Sequence, residues 1–271
     1  MTPLVIVVAF RYRGDVSPVP RRKSAADLRL WRYMDLAKFL LMLKRRSLWF
    51  SRAAEFKDDP FAGFCFVEHR DIANSRPGWE ELLAWMGTET AKEFREAPQV
   101  LFVNCWSLDP ESNLMWKTYS KSGPCVAIVS STHRYVDAID RTGLPSYCFD
   151  CGSVVYHSSL QEAERLQHDF RRGVPMGDET IRRIVQLGFQ KRDSFRGENE
   201  WRAVAYQDQV SDTGVEAEVD LDRLIDSVCV SPHAQPYFLD AVRAVVEGFS
   251  LKKKVWQSEL LRPPQRPGSL V

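Results

Sequence analysis

Residues 30–51 read LWRYMDLAKFLLMLKRRSLWFS. Leu30 to Tyr33 is short, aromatic and strand-like. Asp35 is placed to cap a helix over Leu36 to Arg46, where Leu36, Phe39, Leu40 and Leu43 recur on one helical face. Lys44, Arg45 and Arg46 suit the negative end of that helix dipole. Leu48 to Ser51 returns to a strand pattern. The stretch therefore predicts strand, helix, strand, with an arginine on the first strand and a serine closing the second.

Further along, strands are expected at Val100 to Trp106, Cys125 to Ser130, Val154 to His157, Glu200 to Tyr206, Ser227 to Ser231 and residues 253–257. Helices are expected over residues 79–97, after a Ser112 cap, and over 159–172, 178–194 and 236–248. Strands and helices do not alternate strictly, which argues against a doubly wound parallel sheet. The fold class is α+β: a single domain with a mixed or antiparallel split sheet flanked by helices. The main domain is set at residues 28–260. Residues 1–27 form an N-terminal strand (Pro3 to Phe10) and a proline-bearing linker, and residues 261–271 a disordered tail. No repeat occurs, and neither GxGxxG nor GxxxxGK[ST] is present.

The 271 residues are 44% hydrophobic and 27% charged, as in a globular protein rather than a disordered one. With 37 basic and 36 acidic side chains, the net charge of +1 argues against nucleic-acid binding by bulk charge. Arg21-Arg22-Lys23, Lys44-Arg45-Arg46 and Lys252-Lys253-Lys254 would make a local footprint if they converged. No apolar run reaches the ~18 residues of a membrane-spanning helix. Arg11 and Arg13 follow the apolar Pro3 to Phe10 stretch with no small-residue cleavage site, unlike a signal peptide. Six scattered cysteines then imply reduced thiols and a cytoplasmic protein.

Four blocks occur in a telling order: LWRY (30–33), LWFSRAAEFKDDPF (48–61), NCWSLDPESNLMWKTYSKSGPCVAI (104–128) and FRGENEWR (195–202). Together they resemble the bacterial family called domain of unknown function 2971, over about residues 28–257. Lys57-Asp58 departs from that family's Phe-Asn before Asp-Pro, and Ala62 from its Glu. The resemblance brings an association with bacterial conflict, phage defence or toxin activity.

The same order also resembles ADP-ribosyltransferases of the Arg–Ser–Glu type, at Arg32, Ser51 and Glu198-x-Glu200. That resemblance implies NAD as substrate and a protein or nucleic acid as acceptor. Arg32 would grip the pyrophosphate through two parallel hydrogen bonds, with Tyr33 beside it in the binding set. Glu200 would be the catalytic carboxylate facing a ribose with oxocarbenium character, Glu198 would orient or deprotonate the acceptor, and Ser51 would position Glu200 or the ribose. Trp116 or Tyr119 would stack on a ring of NAD. Glu198 and Glu200 would face one pocket if their strand begins early enough. Each residue also has a structural reading: Arg32 paired with an acid, Ser51 closing a strand, Glu200 paired with Arg202, the aromatics in the core.

Other constellations are weaker. Cys148 and Cys151, with His157 and His168, carry zinc-ligand types but not finger spacing, so two structural thiols are favoured. Asp58 and Asp59 precede Pro60, where turn chemistry is the commoner role. Two further readings therefore stand beside the transferase: a non-enzymatic nucleic-acid-binding or regulatory module, and a metal-dependent nuclease or phosphodiesterase using Asp58, Asp59 and Glu200.

Overall fold

The computed structural model describes residues 26–59, 62–63, 96–120, 123–139, 148–158, 178–207 and 212–263. β1 (Arg29–Asp35) leads into α1 (Leu36–Arg45) through the Asp35 cap, whose Oδ1 accepts from the Lys38 amide at 2.8 Å. α1 buries Phe39, Met42 and Leu43, and Arg46 ends it in the left-handed region at φ 51°. β2 (Ser47–Arg52) follows. Then come β3 (Leu101–Ser107), α2 (Asn113–Tyr119), β4 (Cys125–Ser131) and α3 (Thr132–Ala138). Ser112 caps α2 as expected, accepting from the Met115 amide.

β5 (Cys148–Ser153), β6 (Val155–His157), α4 (Asp178–Leu187), β7 (Gln190–Arg192) and β8 (Glu200–Tyr206) form the next group. β9 (Gly214–Glu218), α5 (Leu221–Leu224), β10 (Ser227–Val230), α6 (Pro236–Gly248) and β11 (Lys254–Gln257) complete the described elements. The sequence pattern missed β5, β7, β9, α3 and α5. It also ran α4 through to residue 194, whereas the helix stops at Leu187. Gly188 sits so close to β8 that an added Cβ would lie 2.6 Å from Val204. Expectations for residues 1–25, 79–95, 159–172 and 264–271 fall outside the described residues.

Nine strands form one sheet in the order β11-β10-β4-β1-β3-β2-β9, with β8 on the other edge of β3 and β5 beyond it. Every pairing in it is antiparallel except β10 with β11. The chain is thus a single mixed α+β domain whose mostly antiparallel sheet is flanked by helices. β6 and β7 make a separate parallel ribbon.

The sheet splits at β3. One edge of β3 is covered end to end by β8, from Leu101↔Tyr206 to Ser107↔Glu200. The other edge is shared: β1 meets it at Trp31↔Ser107, and β2 at Ser51↔Val103 and Arg52↔Phe102. Between those ends, a buried side-chain network replaces the missing ladder. Asn104 Nδ2 donates to the Trp49 carbonyl at 2.8 Å, and its Oδ1 accepts from Trp106 Nε1 at 2.7 Å and the Tyr135 hydroxyl at 3.3 Å. Asn104→Ala strands the Trp106 donor in a dry setting, for an expected loss of about 2–3 kcal/mol, checked by denaturant unfolding. Among the described residues, no helix is long and apolar enough to cross a membrane.

Candidate active site

A cavity of about 380 Å³ opens at the split. Its walls draw on three separate apolar clusters, with Met42 and Leu48 from the first, Val103 from the second and Met115 from the third. Arg32, Tyr33, Ser51, Tyr119, Glu198 and Glu200 all line it, so four distant stretches of chain meet there. Trp116 does not. It is fully buried beneath Tyr33, ring centroids 4.8 Å apart and edge-on, and its indole N–H donates to Glu111 at 3.0 Å. It belongs to the buried cluster beneath Tyr33, as the structural reading of the aromatics has it.

Arg32 projects from β1 into the gap between the two halves of the sheet. Its Nη2 reaches the Trp49 carbonyl at 3.4 Å, and its guanidinium lies 5.8 Å from the Trp106 ring centroid. Nη1 is enclosed, with no hydrogen-bond partner among the described residues. Burial presses the guanidinium pKa down, and the charges that oppose this come from Tyr135, Cys105 and Tyr119, none of them a carboxylate. A desolvated cation without a counter-ion is costly unless something anionic completes it.

The carboxyl pair has the opposite character. Glu200 is 5% exposed and both its oxygens are engaged, Oε1 by Lys191 Nζ at 2.6 Å and Oε2 by Arg202 Nε at 2.5 Å. Its backbone N–H donates to the Tyr156 hydroxyl at 2.8 Å. Burial alone would raise its pKa, but Arg202 and Lys191 outweigh that and hold it well below the usual carboxylate range. The pairing of Glu200 with Arg202 is therefore present, joined by a lysine that no sequence pattern marked.

Glu198 is the freer carboxyl, its side chain 30% exposed and 2.9 Å from Lys191. Burial, and then a hydrogen bond to Glu200, push its pKa up to about 7. The two glutamates are not alternate residues of one strand. Glu198 ends a 3₁₀ turn over Asp193–Glu198, Asn199 takes the left-handed conformation at φ 41°, and β8 begins at Glu200. That turn, rather than strand alternation, brings both to the cavity.

Ser51 is half-buried on β2, opposite Val103 and Gly214. The bonds that hold Glu200 come from Lys191, Arg202 and Tyr156 instead. Tyr119 stacks on Tyr33 at 6.2 Å, and burial, then Cys105, push its hydroxyl up to about 12. Tyr33 accepts from the Ser112 amide at 3.0 Å. Cys105 also lines the cavity; burial pushes its thiol up to about 12, which leaves it protonated and poorly nucleophilic.

The remaining candidates do not assemble. Positions 148 and 151 lie three apart on the continuous strand β5, which places them on opposite faces of the sheet, and His168 is outside the described residues. Asp59 sits in a turn, its amide bonded to the Phe56 carbonyl and its carbonyl to the Ala62 amide, with Arg192 3.7 Å from its carboxylate. Among the described residues, no three His, Cys, Asp or Glu side chains are grouped to hold a metal ion. The Lys44–Arg46 cluster abuts the end of β9, and the Val219 amide just beyond that strand bonds to the Arg46 carbonyl. Lys252–Lys254 leads into β11, at the far end of the sheet order.

No family model matches the chain, and no curated protein matches it. Among solved structures it is similar to DarT of Thermus sp. 2.9 in complex with NAD+, at 12% identity and a TM-score of 0.38. That likeness covers 86% of this chain and 96% of the other.

Proposed function

We propose that this chain is an ADP-ribosyltransferase-like enzyme that consumes NAD and modifies a protein or nucleic acid, with a role in bacterial conflict, as a toxin or in phage defence. The observation that carries the reading is the pairing, within one cavity, of a guanidinium whose Nη1 is enclosed and which has no counter-ion among the described residues with a carboxylate held ionised. Arg32 supplies the anion site for the pyrophosphate. The cavity volume falls in the ordinary range for small-molecule sites, ~300–1,000 Å³. The stacked rings of Tyr33 and Tyr119 offer a flat surface to a nucleobase or nicotinamide.

The reaction breaks the bond between the nicotinamide nitrogen and ribose C1, and nicotinamide leaves with the electron pair. Glu200, fixed as an anion, stabilises the positive charge that develops on the sugar. The acceptor then bonds to C1 and gives its proton to Glu198, whose pKa of about 7 suits a base at neutral pH.

Incubation of the purified protein with labelled NAD, with and without extract of bacterial cells, tests this. Wild type is expected to release nicotinamide and transfer label. Glu198→Gln is expected to lose about 10²-fold or more in rate while staying folded. Absence of NAD binding together with absence of nicotinamide release would overturn the reading.

A further inference from the structure

The β6–β7 ribbon, outside the nine-stranded sheet, packs behind the two glutamates that line the cavity, Lys191 on their carboxyl groups and Tyr156 on the Glu200 backbone. Tyr156, on β6, accepts from the Glu200 amide. Lys191, on β7, is 5% exposed, and its ammonium lies 2.6 Å from Glu200, 2.9 Å from Glu198 and 4.7 Å from the Phe195 ring centroid. A lysine is seldom buried this fully, and here it has two anionic partners rather than one.

We propose that Lys191 is the positioning residue of this site: its buried ammonium bridges the two carboxyls, holding Glu200 as a fixed anion and leaving Glu198 as the group that exchanges a proton with the cavity. This rests on the NAD-consuming reading above for its catalytic meaning, but the bridge itself is a property of the resting protein.

The surroundings single out Lys191. Glu200 and Arg202 face the pair from β8, Tyr156 from β6, Cys105 from β3 and Tyr119 from α2. Arg202 is committed to Glu200 Oε2 and to the Gly188 carbonyl at 2.8 Å. Cys105, Tyr119 and Tyr156 are neutral at pH 7, each pushed up to about 12, chiefly by burial. Among the described residues, Lys191 is therefore the cation in contact with Glu198. Its own pKa is raised despite burial, with Glu200 the main opposing cause, so it stays charged throughout the neutral range. Removing it takes away the charge that favours ionised Glu198, and Glu198 must then bind its proton more tightly.

The test titrates the full chain labelled with ¹³C at glutamate carboxyls, with the Glu198 signal assigned by its loss in Glu198→Gln. Wild type is expected to titrate near 7. Lys191→Met, which keeps length and apolar volume, is expected to move that midpoint up by about one pH unit or more, while Lys191→Arg leaves it near wild type. A folded Lys191→Met whose Glu198 midpoint does not move overturns the proposal.

The wild-type protein gives a second reading that needs no substitution at 191. The ¹⁵Nζ resonance of Lys191 is expected to show a step at the Glu198 midpoint, and this step should vanish in Glu198→Gln. Its absence from wild type equally overturns the bridge. Neither measurement uses NAD. A failed bridge with intact nicotinamide release sinks the role of Lys191 alone, whereas a working bridge in a protein that neither binds nor cleaves NAD sinks the enzymatic reading. Where turnover is measured, the rising limb of its pH profile moves up with the titration in Lys191→Met, which a merely structural lysine would not cause.

Discussion

Arg32→Met is expected to remove NAD binding while leaving the protein at least as stable as wild type. The two halves of this result have one cause. The guanidinium sits against the Trp106 ring with Nη1 enclosed and without a hydrogen-bond partner among the described residues, so the unliganded fold carries an uncompensated desolvation cost. Methionine keeps the apolar stem against Trp106 and removes the charge. What it loses is one long bond, 3.4 Å, to a carbonyl that Asn104 already satisfies. For a pyrophosphate ligand the balance reverses, since a charge-assisted forked contact disappears, at about 2–5 kcal/mol or roughly 30- to 5,000-fold in affinity. Arg32→Lys restores the charge but not the fork, and is expected to recover only a small part of the binding. Calorimetric titration with NAD and with pyrophosphate, alongside thermal unfolding, reads both effects. A variant that loses stability and binding together would make Arg32 a structural residue.

The strand–helix–strand opening was legible because each signal is local. Asp35 caps, Phe39 and Leu43 mark the buried face, and basic residues close the helix. The meeting of Arg32, Ser51 and Glu200 was legible only through block order, since nothing in a pattern of apolar residues says that β1 and β2 share one edge of β3. β5 and β7 were hidden for a different reason. β5 carries a glycine and an aspartate, and β7 reads Gln-Lys-Arg, so neither shows the alternation that marks a half-buried strand. Burying Lys191 and Arg202 goes against the composition rule that charged residues face water. No local signal announces such a pair, because its stability comes from Glu200 and not from the residues next to it in sequence. Trp116 shows the converse case. An aromatic one helical turn from Tyr119 looked equally able to meet a ligand, but its indole N–H has an internal partner in Glu111.

Glu200→Gln is expected to be the most destabilising conservative change in the cavity. The carboxamide keeps the shape of the side chain and removes the one charge that both buried cations share. Breaking a buried pair by deleting one partner costs about 3–5 kcal/mol; here Arg202 loses its carboxylate and Lys191 keeps only Glu198, 2.9 Å away. In a domain of this size that corresponds to a drop of roughly 10 °C in Tm. The pH dependence should change as well. In wild type the Glu198 pKa is raised from 4.5 to about 7, so its contribution to stability is complete below about pH 4.5 and is lost as pH rises through 7. Without Glu200, the hydrogen bond that favours the protonated form is gone and Lys191 and Arg202 draw Glu198 into its ionised state. Its pKa then falls below the unfolded value, and its contribution is constant above pH 4.5. The decline in stability between about pH 4.5 and 7 expected of wild type should therefore be absent from Glu200→Gln. Adding Lys191→Met to Glu200→Gln removes a buried cation left with a single carboxylate partner and is expected to return part of the lost stability, a coupling that a double-mutant cycle measures directly. Nicotinamide release, assayed at a temperature where circular dichroism shows the variant folded, is expected to fall about 10²- to 10³-fold. A Glu200→Gln protein that melts within 2–3 °C of wild type, at about 1 kcal/mol or less, would mean that Lys191 and Arg202 are not held by this carboxylate, and the fixed anion facing the sugar would have no structural basis.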